Sequence, residues 1–207
     1  RRIVYPYLDP IDGVTYPESA FSSVARDASL IVLTNAGFAR SLAPAAAQLD
    51  APVAVDVNVI SDCDQLEFRT LLEASDVIFC SDERLLCSPE RWIEHLLERY
   101  PRAALVAVGC GERGSVLGLR DGRLAHVGSV APLGVASTSS AGDSLFATFL
   151  HYWLRIPDPI EALRRAALYA GWRVGHRDPT TVLLDEQEVE RLWRQHPVPV
   201  HISSWTR

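Results

Sequence analysis

Residues 103–127 read AALVAVGCGERGSVLGLRDGRLAHV, and the fold turns on the conformation of the chain just past the glycines at 109, 111 and 114. Gly109-x-Gly111-x-x-Gly114 directly after an apolar run fits a dinucleotide fingerprint. That fingerprint needs a helix opening at the last glycine, so that free amides can receive the pyrophosphate. The sequence offers no helical period there. Residues 115–127 alternate around Asp121-Gly122, a strong hairpin signal, so the strand 103–108 passes through a Gly-rich turn into an antiparallel hairpin. This speaks against a nicotinamide or flavin cofactor. It leaves two readings of the turn: a plain connection, or a loop passing close to a nucleotide.

Upstream of this stretch, short apolar runs alternate with longer amphipathic ones. SLIVLT (29–34), PVAVDV (52–57) and SDVIFC (75–80) join AALVAV (103–108) as strands apolar on both faces, as buried parallel strands are. Between them FARSLAPAAAQL (38–49), DQLEFRTLLEA (64–74) and SPERWIEHLLERY (88–100) carry helix-period apolar positions. Ser88 followed by Pro89 predicts an N-cap with proline in the first turn. Downstream of the hairpin, residues 141–154, 157–176 and 185–196 read as helices. The first 28 residues, with Pro6, Pro10 and Pro17 among aromatics, read as irregular or edge-strand chain. The pattern is that of βα units around a parallel sheet.

Composition narrows the function. A chain of 207 residues with 48% hydrophobic content buries a substantial core. Its net charge of -6 and pI near 5.5 disfavour nucleic acid or an anionic membrane as partner. No apolar run is long enough for a membrane span, and the expected location is cytoplasmic. The 4 cysteines, Cys63, Cys80, Cys87 and Cys110, lack CxxC spacing and are expected to be buried free thiols rather than zinc ligands or disulfides. All 20 basic residues are Arg, and Met is absent even at position 1, which suggests a processed or truncated chain. With no Lys there is no P-loop, and phosphate chemistry would fall to backbone amides, Arg or metal.

One stretch answers that requirement. STSSAGDSLFATFL, residues 137–150, places Ala141, Gly142 and Asp143 in the first turn of a helix, where amides lack partners and the macrodipole is positive. Gly142 lets a ligand approach the backbone, and an acid beside an anion site can take a proton from an incoming hydroxyl. An ordinary N-terminal acid favoured by the dipole would look the same.

The stretch resembles the second signature of the ribokinase, or PfkB, family of carbohydrate kinases, D-T-T-G-A-G-D before an apolar helix. VDVN at 55–58 is similar to that family's D-x-N stretch, SDVIFCSDERL to its next strand and turn, and VAVGCGERGSVL to its strand and Gly-x-x-Gly turn. The resemblance runs from about residue 29 to 195. It implies a ribokinase-like three-layer α/β/α sandwich with a mostly parallel central sheet, residues 29–207, and a truncated lid or edge-strand remnant at 1–28. It also implies ATP-dependent phosphorylation of a sugar or related hydroxyl compound with Mg²⁺, and it admits a homodimer.

By the same resemblance Asp143 is the general base and Ser140, Ala141 and Gly142 form the anion hole. Gly109, Gly111 and Gly114, with Ala167 and Ala170 on a later helix, line the nucleotide. Asp56 and Asn58 face the substrate or phosphate, and Glu83 is a metal candidate. The sequence departs from the pattern at several places. Ser137 and Ser140 stand for the first Asp and first Gly of the signature, and residues 81–84 (Ser, Asp, Glu, Arg) stand for Asn-x-x-Glu. Ile60 stands for an Arg, and Gly109 for a Thr. These departures motivate two alternatives: a non-catalytic homologue that binds nucleotide or sugar, and a nucleoside kinase of the same superfamily.

Overall fold

The computed structural model describes residues 14–178 and 183–205. Among the described residues seven strands form one sheet in chain order. Four are parallel: β1 (Ile31–Thr34), β2 (Val53–Val59), β3 (Val77–Ser81) and β4 (Leu105–Gly109). β5 (Ser115–Leu119), β6 (Arg123–Val127) and β7 (Val200–Ser204) continue the sheet antiparallel. Each parallel strand lies where the apolar runs predict it, and so does the hairpin turning at Gly122, whose φ is 99°.

Because side chains alternate across a pleated strand, one run feeds two cores. Ile78 and Cys80 of β3 face α1 (Glu18–Ala25), α3 (Ala43–Ala46), α4 (Leu66–Ala74) and α5 (Pro89–Arg99). Val77 and Phe79 face α6 (Ala141–Trp153) and α7 (Pro159–Arg173), with Leu192 and Trp193 of α8 (Glu186–Gln195) packed outside them. The result is the three-layer α/β/α sandwich. Full burial of side chains such as Leu71, Leu72, Ile78 and Leu163 contributes about 1.5–3 kcal/mol each.

Local signals set the helix starts. The Ser88 hydroxyl accepts from the Arg91 amide and Pro89 sits at the first helical position of α5. α8 opens with a capping box: the Glu188 amide donates to Asp185, and the Asp185 amide donates to the Glu188 carboxylate. Gly118 lets α5 lie on the hairpin, since a Cβ there would stand 2.1 Å from Ile93 Cγ2.

Three expectations need correction, and one strand is unexpected. Residues 18–25, read as irregular or edge-strand chain, form α1; the rest of that reading, residues 1–13, lies outside the described residues. Residues 38–49 form two short helices, α2 (Gly37–Arg40) and α3, because Pro44 has no N–H for the Arg40 carbonyl. β7 has no strand signal in the sequence: four of its five residues are exposed, and its order comes from pairing with β6. Cys87 is exposed, while the other three cysteines are buried and all four are free. Among the described residues no helix is long and apolar enough to cross a membrane.

Candidate active site

The C-terminal ends of β2, β3 and β4 lie side by side, with Val59 paired to Ser81 and Ser81 to Gly109. In open α/β sheets ligands gather at this edge. At the end of β2 the register shifts between Asp56 and Val59, and Asn58 takes up the irregularity at φ 57°. Asparagine tolerates that left-handed backbone. The Asn58 amide donates to Asp56 Oδ1 at 2.8 Å, and Asn35 Nδ2, just past β1, donates to the Val57 carbonyl at 3.1 Å. Asn35 belongs to no motif in the sequence; only the parallel register brings it beside β2.

Burial pushes the Asp56 carboxyl up from 3.8 to about 6; the Asn58 hydrogen bond opposes the rise, and the negative charge of Asp143 adds to it. The structure thus brings together two acids far apart in sequence. Asp143 is exposed in the first turn of α6, and nothing lies within 4 Å of the place a Cβ on Gly142 would occupy. The Ala141 amide donates to the Thr138 carbonyl at 3.3 Å. Among the described residues the amides of Gly142 and Asp143 have no acceptor. Ser140 precedes them at φ 61°, ψ 14°, so a residue with a Cβ holds the left-handed turn into the helix.

The loop from β6 to this turn is strapped to the end of α7. The amides of Ala136 and Ser137 both donate to the Val174 carbonyl, at 2.7 and 3.0 Å. A Cβ on Gly171 would stand 1.7 Å from the Val130 carbonyl, so the close pass requires glycine. On the same helix Ala167 is buried in the core and Ala170 is half-buried.

The three glycines after β4 differ in what surrounds them. Gly111 (φ 59°) has no neighbour within 4 Å of its missing Cβ, leaving room for a ligand, whereas Gly114 (φ 88°) passes within 2.1 Å of the Val127 carbonyl and is demanded by the turn itself. Gly109 has only an ordinary contact with the Cys80 carbonyl. β5 begins directly after Gly114, so no helix N-terminus receives a dinucleotide pyrophosphate. After β3, Asp82 turns inward and pairs with the Arg113 guanidinium, while Glu83 is exposed. Nearby, burial pushes the Cys110 thiol up to about 11.

A ribokinase-like sheet, with a carboxylate and open amides starting a helix at its C-terminal edge, defines a fold class of small-molecule kinases. The chain belongs to the pfkB family of carbohydrate kinases, whose model matches residues 27–186. Similar solved structures include a microbiome-derived acarbose kinase, with a TM-score of 0.78 and 21% identity over 88% of this chain and 61% of that one. A Burkholderia thailandensis nucleoside kinase in complex with ADP-inosine aligns with a TM-score of 0.71 and 20% identity over 86% and 56%. An Escherichia coli protein described as ribokinase II, in complex with ATP and Mg²⁺, aligns with a TM-score of 0.71 and 19% identity over 84% and 61%. The chain spans 56–61% of the length of these structures. No curated protein sequence matches it.

Proposed function

We propose that this chain carries the phosphoryl-transfer centre of an ATP-dependent kinase acting on a hydroxyl of a sugar or nucleoside. The observation that supports it most is the open first turn of α6, which carries Asp143 close enough to the half-buried Asp56 at the end of β2 for its charge to act on that carboxyl. Asp143 is the general base. It takes the proton of the acceptor hydroxyl as that oxygen attacks the γ-phosphorus, and the bond from phosphorus to the bridging oxygen of ADP breaks. The amides of Gly142 and Asp143 hold the oxygens on which charge accumulates, while the Ala141 amide, given to the Thr138 carbonyl, closes the turn that presents them. Ser140 sets the left-handed entry that aims them.

A magnesium–nucleotide complex fits the donor set. Among the described residues neither Asp56 nor Asp143 is engaged by a protein cation, and hard divalent ions favour such oxygens. Asp56 is the leading candidate to hold the ion, with Glu83 exposed at the neighbouring strand end. Bound there, Mg²⁺ would neutralise phosphate charge. Gly111, open on its Cβ side, lines the nucleotide in this reading, with Ala170 on α7 flanking the base; Gly109, Gly114 and Ala167 support the walls behind them.

The non-catalytic alternative has its own observation in favour: Ser140 keeps a Cβ in a turn that glycine would enter without strain. ADP release measured over a panel of sugars and nucleosides, with calorimetry of ATP-Mg²⁺ binding, separates the two. Asp143→Asn should lower turnover by roughly 10²–10⁴-fold while leaving nucleotide affinity nearly unchanged. Wild-type binding without turnover on any acceptor supports the non-catalytic reading. Loss of folding and binding together in the variant would mark Asp143 as a structural cap.

A further inference from the structure

The connection from β2 to α4 and the exposed face of α5 bring three metal-binding side chains together. Cys63, Asp64 and His95 each offer one ligand atom, and these atoms all lie within 4.8 Å of one another. Cys63 is 3% exposed, whereas Asp64 and His95 reach solvent, so an ion arriving from solution meets the two outer donors before the sulfur. The backbone beneath the donors is fixed. The Tyr100 hydroxyl donates to the Cys63 carbonyl at 2.6 Å, and the Asp64 amide donates to Asp62 Oδ1 at 2.9 Å. One helical turn beyond His95, Arg99 Nε donates to Asp64 Oδ1 at 3.2 Å.

We propose that Cys63, Asp64 and His95 form a site for a borderline-soft divalent cation of the zinc class, with solvent as the remaining ligand. The donor chemistry decides the class, because a thiolate with an imidazole favours zinc over magnesium or calcium. Zinc–ligand bonds of about 2.0–2.3 Å in a tetrahedron space the donors roughly 3.5 Å apart. The trio therefore closes by no more than about 1.3 Å on binding, within reach of side-chain rotation at the exposed Asp64 and His95. Binding forms a metal–sulfur bond and releases the thiol proton to solvent, with no change of oxidation state. Arg99 competes for Asp64 and swings away. The ion ties the β2–α4 turn to α5, and its solvent-held position stays open to exchange.

Titration of the purified chain with Co²⁺ tests this, since thiolate–cobalt complexes carry a near-ultraviolet charge-transfer band. The band should saturate at one equivalent, be bleached by Zn²⁺ and persist in excess Mg²⁺. Cys63→Ser should remove it, His95→Ala should weaken Co²⁺ binding at least about tenfold, and Arg99→Ala, which frees Asp64, should tighten it severalfold. Cys87→Ser, at the exposed cysteine, should leave the band intact. His95 is exposed, so its variant reports even if Cys63→Ser fails to fold. A folded wild type with no thiolate band, or a band that survives both Cys63→Ser and His95→Ala, overturns the proposal.

Discussion

Ser140 holds a left-handed backbone that an L side chain adopts at a cost of about 1–2 kcal/mol, and it does so at the entry to the proposed anion hole. Ser140→Gly removes that strain, partly offset by the extra freedom glycine gives the unfolded chain. The expected outcome is a net gain of up to about 1 kcal/mol in denaturant unfolding, with turnover unchanged or raised. Asp56 makes the second residue-scale prediction. Below its ordinary value of 3.8 both folded and unfolded states keep the proton; as pH rises towards about 6 only the unfolded chain ionises freely, so the folded state loses stability through that window. Asp56→Asn should therefore stabilise the chain at pH 8 by at most about 3 kcal/mol, with the advantage gone by about pH 3. Equal effects at both pH values would show that Asp56 is not held above its ordinary range. The sequence points to both positions as chemistry-bearing. It holds nothing about the left-handed φ of Ser140 or the nearness of Asp56 to Asp143, because a long stretch of chain separates the two acids.

At the scale of elements, α5 rests on the hairpin because Gly118 offers no side chain where Ile93 and Leu97 arrive. Gly118→Ala puts a methyl into Ile93 Cγ2, and α5 must shift or Ile93 must leave its rotamer. A loss of about 1–3 kcal/mol is expected, read by chemical denaturation and by the fluorescence of Trp92, buried on the same helix. The parallel strands, the hairpin and the helices from α4 onward lie close to where periodicity places them, since each carries its own apolar pattern and, for α5, its own cap. α1 and β7 do not. α1 is mostly exposed, with an apolar stripe too narrow to announce itself among prolines, and β7 borrows its order from the backbone ladder of β6. Gly114 shows the same division: the motif marks it as a ligand contact, and its approach to the Val127 carbonyl gives it a packing reason instead.

For the whole molecule, two cores share one sheet, and β2, β3 and β4 contribute to both by alternation, whereas β1 buries one face only. Damage on one face should therefore be felt on the other. Leu71→Ala in the first core and Leu163→Ala in the second should each cost about 2–5 kcal/mol. Both should move a single unfolding transition followed by circular dichroism and by the tryptophans of both faces, Trp92 and Trp172. Two separate transitions would show that the layers fold as independent units.

The order of strands and helices, the hairpin that excludes a dinucleotide fold, and the family signature ending at Asp143 are all written in the amino-acid sequence. Those signals are local: each depends on residues within one element or one turn, and short-range sterics and amphipathic period inscribe them directly in the chain. Folding in three dimensions settled the rest: which acid feels the charge of Asp143, that Arg113 takes Asp82, which glycines face open space, and that Cys63 comes near His95 although no CxxC spacing hinted at a metal. These are contacts between segments far apart along the chain, and only the register of the sheet and the packing of helices on its two faces give them a distance.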